Sequence, residues 1–127
     1  MKFTRLSGAL LAAVLPFAMS GVADASPATS LMLMVIDSNG GADSVVLTCD
    51  PPDGTHPNAT RACADIHAAR GDFSALRGDQ QQTMCTMEYQ PVTAIAEGMW
   101  RGDPVEWEHE FGNSCTLHTT TGSVFQF

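Results

Sequence analysis

Four cysteines, at positions 49, 63, 85 and 115, constrain this 127-residue chain more than any other feature. In an exported chain an even, small cysteine count reads as two disulfides; in a reducing compartment the same residues would read as metal ligands or catalytic thiols. The compartment therefore decides what the cysteines can do. The N-terminus points to export. Lys2 and Arg5 supply a positive start, Gly8 to Met19 is an apolar run of 12 residues, and Ala23-Asp24-Ala25 is a small-x-small cleavage site. A membrane-spanning helix needs about 20 apolar residues, so this run is too short for an anchor. Residues 1–25 are expected to be a cleaved signal peptide and residues 26–127 a single secreted domain, with no membrane association in the mature form.

Removing the leader sharpens the charge. The full chain has net charge −8; residues 26–127 keep four basic residues (Arg61, Arg70, Arg77 and Arg101), 13 acidic ones and no lysine, a net of −9. Nucleic acid and anionic membranes recruit Lys and Arg, so neither is expected as a partner. With 44% hydrophobic and 16% charged residues the chain is not a candidate for wholesale disorder. A domain of this size has limited surface to bury, which is where covalent staples help.

Residues 30–37 (SLMLMVID) read as a strand that is apolar on both faces, so a cover is expected on each side. Ser38-Asn39-Gly40-Gly41 supplies turn chemistry before a second strand over Ser44 to Cys49, and the two form a hairpin. Asp50 to Asn58, with three prolines and a glycine, is loop. Thr60 has N-cap character for a helix over Arg61 to Arg70 that stops at Gly71, and Asp72 to Arg77 suits a second short helical piece. Gly78 to Thr83 has no regular pattern. Val92 to Glu97 reads as a strand, Gly98 to Pro104 as a turn-bearing connection, and Ser123 to Phe127 as a short closing strand. Val105 to Phe111 alternates, with Val105, Trp107, His109 and Phe111 on one face and Glu106, Glu108 and Glu110 on the other. Four or five strands with one or two helices describe an α+β domain, an antiparallel sheet with helices on one face. A second copy of the chain, or a folded-over tail, could cover the other face of the first strand.

Metal and enzyme chemistry find little support. The four histidines (His56, His67, His109 and His118) and the cysteines contain no tight ligand pair of the kind that marks structural zinc, and His109 on an apolar strand face reads as packing. There is no G-x-S-x-G elbow, and an oxidising compartment opposes a thiol nucleophile. The Glu106, Glu108, Glu110 row is a solvated strand face. One segment remains, Met84-Cys85-Thr86-Met87-Glu88-Tyr89-Gln90-Pro91. Alone, Met87 would be an ordinary packing methionine. Its context differs: a disulfide from Cys85 would fix the chain two residues before it, and Pro91 stiffens the far end. A substrate-like protease-binding loop needs that, an extended backbone ordered before the enzyme arrives.

The chain resembles the Streptomyces subtilisin inhibitor family of secreted serine-protease inhibitors. The resemblance is carried by VVLTCDPPDGTHPNATRACADI (Val45 to Ile66), MCTMEYQPV (Met84 to Val92), Gly98-Met99-Trp100, FGNSC (Phe111 to Cys115) and SVFQF at the C-terminus. It implies disulfides Cys49–Cys63 and Cys85–Cys115, a five-stranded antiparallel sheet with two short helices on one face, and a homodimer through the sheet's outer face. It also implies an inhibitor rather than an enzyme, without cofactor or metal, whose partners are serine proteases of the subtilisin type; the uncharged Met87 adds chymotrypsin-like targets to the expectation and makes trypsin a weak one. The scissile bond would be Met87–Glu88, with Met87 at P1 (the residue entering the enzyme's S1 pocket) and Glu88 at P1′. Met84, Thr86 and Tyr89 would be P4, P2 and P2′, Thr83 to Cys85 and Gln90 would complete the contact loop, and Pro91 and Asn113 would support it. Two residues depart from the family pattern: Glu88, where an apolar residue is more frequent, and Thr86, where proline is frequent. The competing expectation is a secreted binding or structural module that keeps the scaffold without inhibiting anything.

Overall fold

The computed structural model describes residues 8, 12–17, 28–78 and 84–127. The first strand, β1 (Thr29–Ile36), turns Thr29, Leu31 and Leu33 inward and leaves Ser30 and Met32 outward. It pairs antiparallel with β2 (Ala42–Cys49), Leu31 opposite Leu47 and Leu33 opposite Val45. Asp37 closes the hairpin: its Oδ1 accepts from the amides of Asn39 (2.8 Å) and Gly41 (2.9 Å), the short-range bonding that makes Asp a turn residue. After β2 come the two-residue strand β3 (Asp53–Gly54), helix α1 (Ala59–Ala68) and a single 3-10 turn over Phe73–Ala75. Strands β4 (Val92–Trp100) and β5 (Asp103–Phe111) and helix α2 (Ser114–Thr121) complete the order. The five strands form one antiparallel sheet in the order β3-β2-β1-β4-β5, which puts β1 at its centre.

One face of that sheet is the core. Leu31, Leu33, Leu47, Ala94 and Ala96 meet Ala62 and Ile66 of α1, Leu117 of α2, and Val124 and Phe125 of the tail, all at most 1% exposed. The other face is open among the described residues. Met32, Val46 and Met99 are 49%, 41% and 41% exposed there, and the tail does not fold over them. It packs on the core side instead, Phe125 lying 5.7 Å from the Trp107 ring and 6.2 Å from that of Phe73.

Several local expectations need correction. The helix expected from Arg61 with Thr60 as cap begins at Ala59 after Asn58, whose side chain makes no capping bond. The start is set by buried His56, whose Nδ1 accepts from the Asn58 amide (2.9 Å) while Nε2–H donates to the Val124 carbonyl (3.0 Å). Only one 3-10 turn forms within Asp72 to Arg77, capped by Asp72 Oδ1 on the Ser74 amide (2.9 Å). Gly98 to Trp100 continues β4 rather than turning: Gly98 has φ 139°, and a Cβ there would lie 2.1 Å from the Ser30 carbonyl oxygen, so glycine here permits close strand approach. Residues 123–127 are not a strand. Both Val124 and Phe125 are buried, which no alternating edge strand does, and Ser123 is held by Asp65 Oδ2, which accepts from its amide (3.1 Å) and hydroxyl (2.6 Å). The fifth strand is instead β3, inside the proline-rich loop, and the second helix is α2, in a threonine-rich stretch without a helical pattern.

Candidate functional site

Large apolar side chains left in water mark contact surfaces when they cluster. Three cluster in the segment Met84 to Pro91: Met84 and Met87 are each 98% exposed and Tyr89 is 74% exposed. None of these loop residues lines the cavity of about 790 Å³ that lies behind its root, between α1 and α2. Its exposed side chains stand out from the surface rather than lining a concavity. Thr83, expected at the start of the contact loop, lies outside the described residues, as do residues 79–82.

A loop that buries almost nothing must be held by bonds, and among the described residues those bonds come from one short segment, Gly112 to Thr120. On the exit side, the Gln90 amide donates to the Gly112 carbonyl (2.9 Å), carrying the β4–β5 ladder one step past Val92 opposite Phe111. On the entry side, Cys85 is bridged to Cys115 in the first turn of α2. Further back, the Gly78 amide donates to the Thr120 carbonyl (3.0 Å); a Cβ at Gly78 would fall 2.1 Å from the Thr119 carbonyl oxygen, so only glycine lets the chain lie this close to α2.

Asn113 occupies the centre. Its Nδ2 donates to the carbonyls of Thr86 (3.1 Å) and Glu88 (2.8 Å), one on each side of Met87. Its Oδ1 accepts from the Thr116 amide (2.8 Å) and the Thr116 hydroxyl (2.9 Å). All four bonds an asparagine amide commonly makes are formed, and the chemistry fixes its orientation, since carbonyls only accept and an amide N–H only donates. Asn113 is also the N-cap of α2, in extended backbone conformation. One side chain thus starts the helix and grips the loop. Aspartate could do the first but not the second; serine could cap but offers a single short donor.

Glu88 is exposed, and among the described residues the one ion pair is Arg101 with Asp50 (3.9 Å), which does not involve it. No group of three or more His, Cys, Asp or Glu side chains that could hold a metal occurs among the described residues. The second disulfide, Cys49–Cys63, ties the end of β2 to α1 and is buried in the core, away from this loop.

Residues 27–113 match the family model described as subtilisin inhibitor-like. The chain belongs to that family. Among its relatives, subtilisin inhibitor-like protein 5 of Streptomyces fradiae is 53% identical over 85 residues, covering 66% of this chain and 78% of the relative. Protease inhibitor SIL-V1/SIL-V4 of Streptomyces netropsis is 42% identical over 105 residues, covering 78% of this chain and 96% of the relative. Among solved structures, Streptomyces caespitosus sermetstatin in complex with Bacillus licheniformis subtilisin matches with a TM-score of 0.63 and 28% identity, covering 77% of this chain and 97% of that one. The subtilisin inhibitor-like family is one of protease inhibitors, not enzymes.

Within this scaffold Cys85, Thr86, Glu88, Gln90 and Asn113 form one bonded unit, from which Met84, Met87 and Tyr89 project. Sequence reasoning missed Gly112 and Thr116. The available signal is Asn113 itself, a favoured N-cap residue, hidden because the helix that follows is built from poor helix formers.

Proposed function

We propose that this chain is a secreted inhibitor of serine proteases of the subtilisin type, and of chymotrypsin-like ones, which presents the Met87–Glu88 bond as a substrate would. The observation that carries the reading is the fully exposed Met87 in a backbone held at both neighbouring carbonyls by Asn113. Met87 enters S1 and Met84 the apolar S4 subsite, while Thr86 and Tyr89 occupy S2 and S2′. The backbone of Thr83 to Cys85 pairs with an enzyme strand, and Gln90 completes the contact. Because the loop is ordered beforehand, little entropy is lost on binding, and affinities of about nM to pM are open to protease–inhibitor interfaces of standard size. If the bond is cut, the Cys85–Cys115 bridge and the Asn113 amide keep the new ends together, so religation competes with release. A methionine at P1 carries no cation for a trypsin-type pocket, so trypsin is inhibited weakly.

Export follows from residues 1–25, cleaved after Ala25. Among the described residues no helix is long and apolar enough to cross a membrane. The open sheet face around Met32, Val46 and Met99 is where a second copy seats in a homodimer.

The test is a titration of the mature protein into subtilisin, with wild type and Met87→Gly in parallel. Wild type inhibits at or below micromolar concentration and Met87→Gly loses at least a hundredfold. Wild type without effect leaves a non-inhibitory binding module as the reading; equal inhibition by Met87→Gly moves P1 elsewhere.

A further inference from the structure

Glu88 is the only charged side chain between Met84 and Pro91. It is exposed, and no described cation pairs with it. Its position is not free to relax. The Glu88 carbonyl accepts from Asn113 Nδ2 at 2.8 Å, and two residues on the Gln90 amide is held by Gly112 at 2.9 Å. These two bonds restrain the backbone at Glu88 next to Met87, while its side-chain torsions stay free. When Met87 is seated in a protease, the next side chain goes with it to the leaving-group side of the bond, and water is stripped from both.

A carboxylate desolvated without a partner is strongly unfavourable, while one meeting a cation is favourable and specific. Among the described residues no cation lies against this place. We infer that the protease for which this loop is built carries a lysine or arginine side chain in its S1′ pocket, and that Glu88 sorts targets by that charge. The inference rests on the Met87–Glu88 assignment and adds a partner class to it: apolar at S1, cationic at S1′. Proteases with an apolar or acidic S1′ are disfavoured by the same residue, so one side chain both selects and rejects.

The overall charge gives a separable background. Residues 26–127 carry net −9, which attracts any basic enzyme at long range. That attraction is screened beyond a Debye length of about 8 Å at physiological salt, whereas a desolvated contact pair is screened far less. Salt therefore distinguishes the two contributions.

The experiment is a double-mutant cycle at about 0.15 M salt. One arm pairs wild-type inhibitor and Glu88→Gln; the other pairs a subtilisin-type protease and a variant of it with one lysine placed in S1′. Wild type is expected to bind the lysine variant about tenfold or more tighter than the parent enzyme, and Glu88→Gln to erase that preference. Glu88→Lys, with unchanged thermal unfolding, is expected to reverse it. A coupling below about twofold, or equal weakening of both enzymes by Glu88→Gln, overturns the assignment and makes Glu88 a general element of loop conformation. Failure of the wild type and Glu88→Gln to inhibit either enzyme is a different result, which removes the Met87–Glu88 reading itself.

Discussion

The two disulfides close loops of comparable cost and do different things. Cys49–Cys63 spans a separation of 14 residues and Cys85–Cys115 one of 30, and the chain-entropy model assigns each roughly 3 to 4 kcal/mol. Their surroundings differ. Cys49 and Cys63 are 4% and 8% exposed, packed where β2 meets α1 beside Ala62 and Leu47. The other bridge joins α2 to a loop in which every described residue from Thr86 to Gln90 is exposed. In the first region apolar contacts already order the backbone and the bridge adds stability. In the second there is little packing to order the backbone, so the bridge, Asn113 and the Gln90–Gly112 bond supply the order.

The largest effect expected follows from cutting each bridge in turn. Cys49→Ala with Cys63→Ala should lower unfolding free energy by about 2 to 5 kcal/mol in a denaturant titration, while the protein that remains folded inhibits subtilisin with an unchanged inhibition constant. Cys85→Ala with Cys115→Ala should raise the inhibition constant at least tenfold, and mass spectrometry should show cleavage accumulating between Met87 and Glu88. Equal effects of both pairs on both measurements would erase the distinction between the regions.

Asn113 divides the same comparison more finely. Asn113→Asp keeps an acceptor for the Thr116 amide and places a charged acceptor against the Thr86 and Glu88 carbonyls. Inhibition should fall by about 1 to 3 kcal/mol in binding free energy, with thermal unfolding nearly unchanged, because aspartate is as good an N-cap. Asn113→Ala should show the same loss of inhibition plus about 1 kcal/mol of stability from the lost cap. If Asn113→Asp inhibits as well as wild type, the amide does not hold the loop.

This division also explains what could be read from the residues alone. The β1–β2 hairpin, α1 and the alternation of β5 were legible because their apolar period and turn residues agree with the fold. The loop was legible as chemistry, a cysteine, an out-of-place methionine and a proline, but its brace was not. Asn113 was named as a support only through resemblance, and by itself Gly112-Asn113 reads as a turn. Helix α2 was invisible because SCTLHTTT has weak helix propensity; it forms through its cap, its bridge and the burial of Leu117 at 0% exposure. The SVFQF tail looks like a short strand in sequence because successive apolar residues buried by side-chain packing leave the same pattern.

Oxidation of Met87 tests the loop without touching the fold. In a Met84→Leu background, so that the other 98%-exposed methionine is silent, peroxide converts Met87 to the polar sulfoxide. Burying that group in S1 should weaken inhibition by about 1 to 3 kcal/mol, and thermal unfolding should not move, since Met87 contributes no packing. Unchanged inhibition after confirmed oxidation would remove Met87 from S1.

The smallest effect concerns Thr86, where a proline would pre-set the backbone. Its amide has no hydrogen-bond partner among the described residues, and its carbonyl, which proline retains, is the one Asn113 grips at 3.1 Å. Thr86→Pro should therefore tighten inhibition, at most by the 0.4 to 1 kcal/mol typical of a compatible proline, or about twofold to fivefold. The brace already fixes this residue, so the gain should lie at the low end in wild type and grow when Asn113→Asp has released the carbonyl. Non-additivity of that sign, measured from the four inhibition constants, would show that proline and asparagine restrain the same backbone freedom. Simple additivity would mean that Asn113 acts on the Glu88 side of Met87, and that the Thr86 side is held by the Cys85 bridge alone.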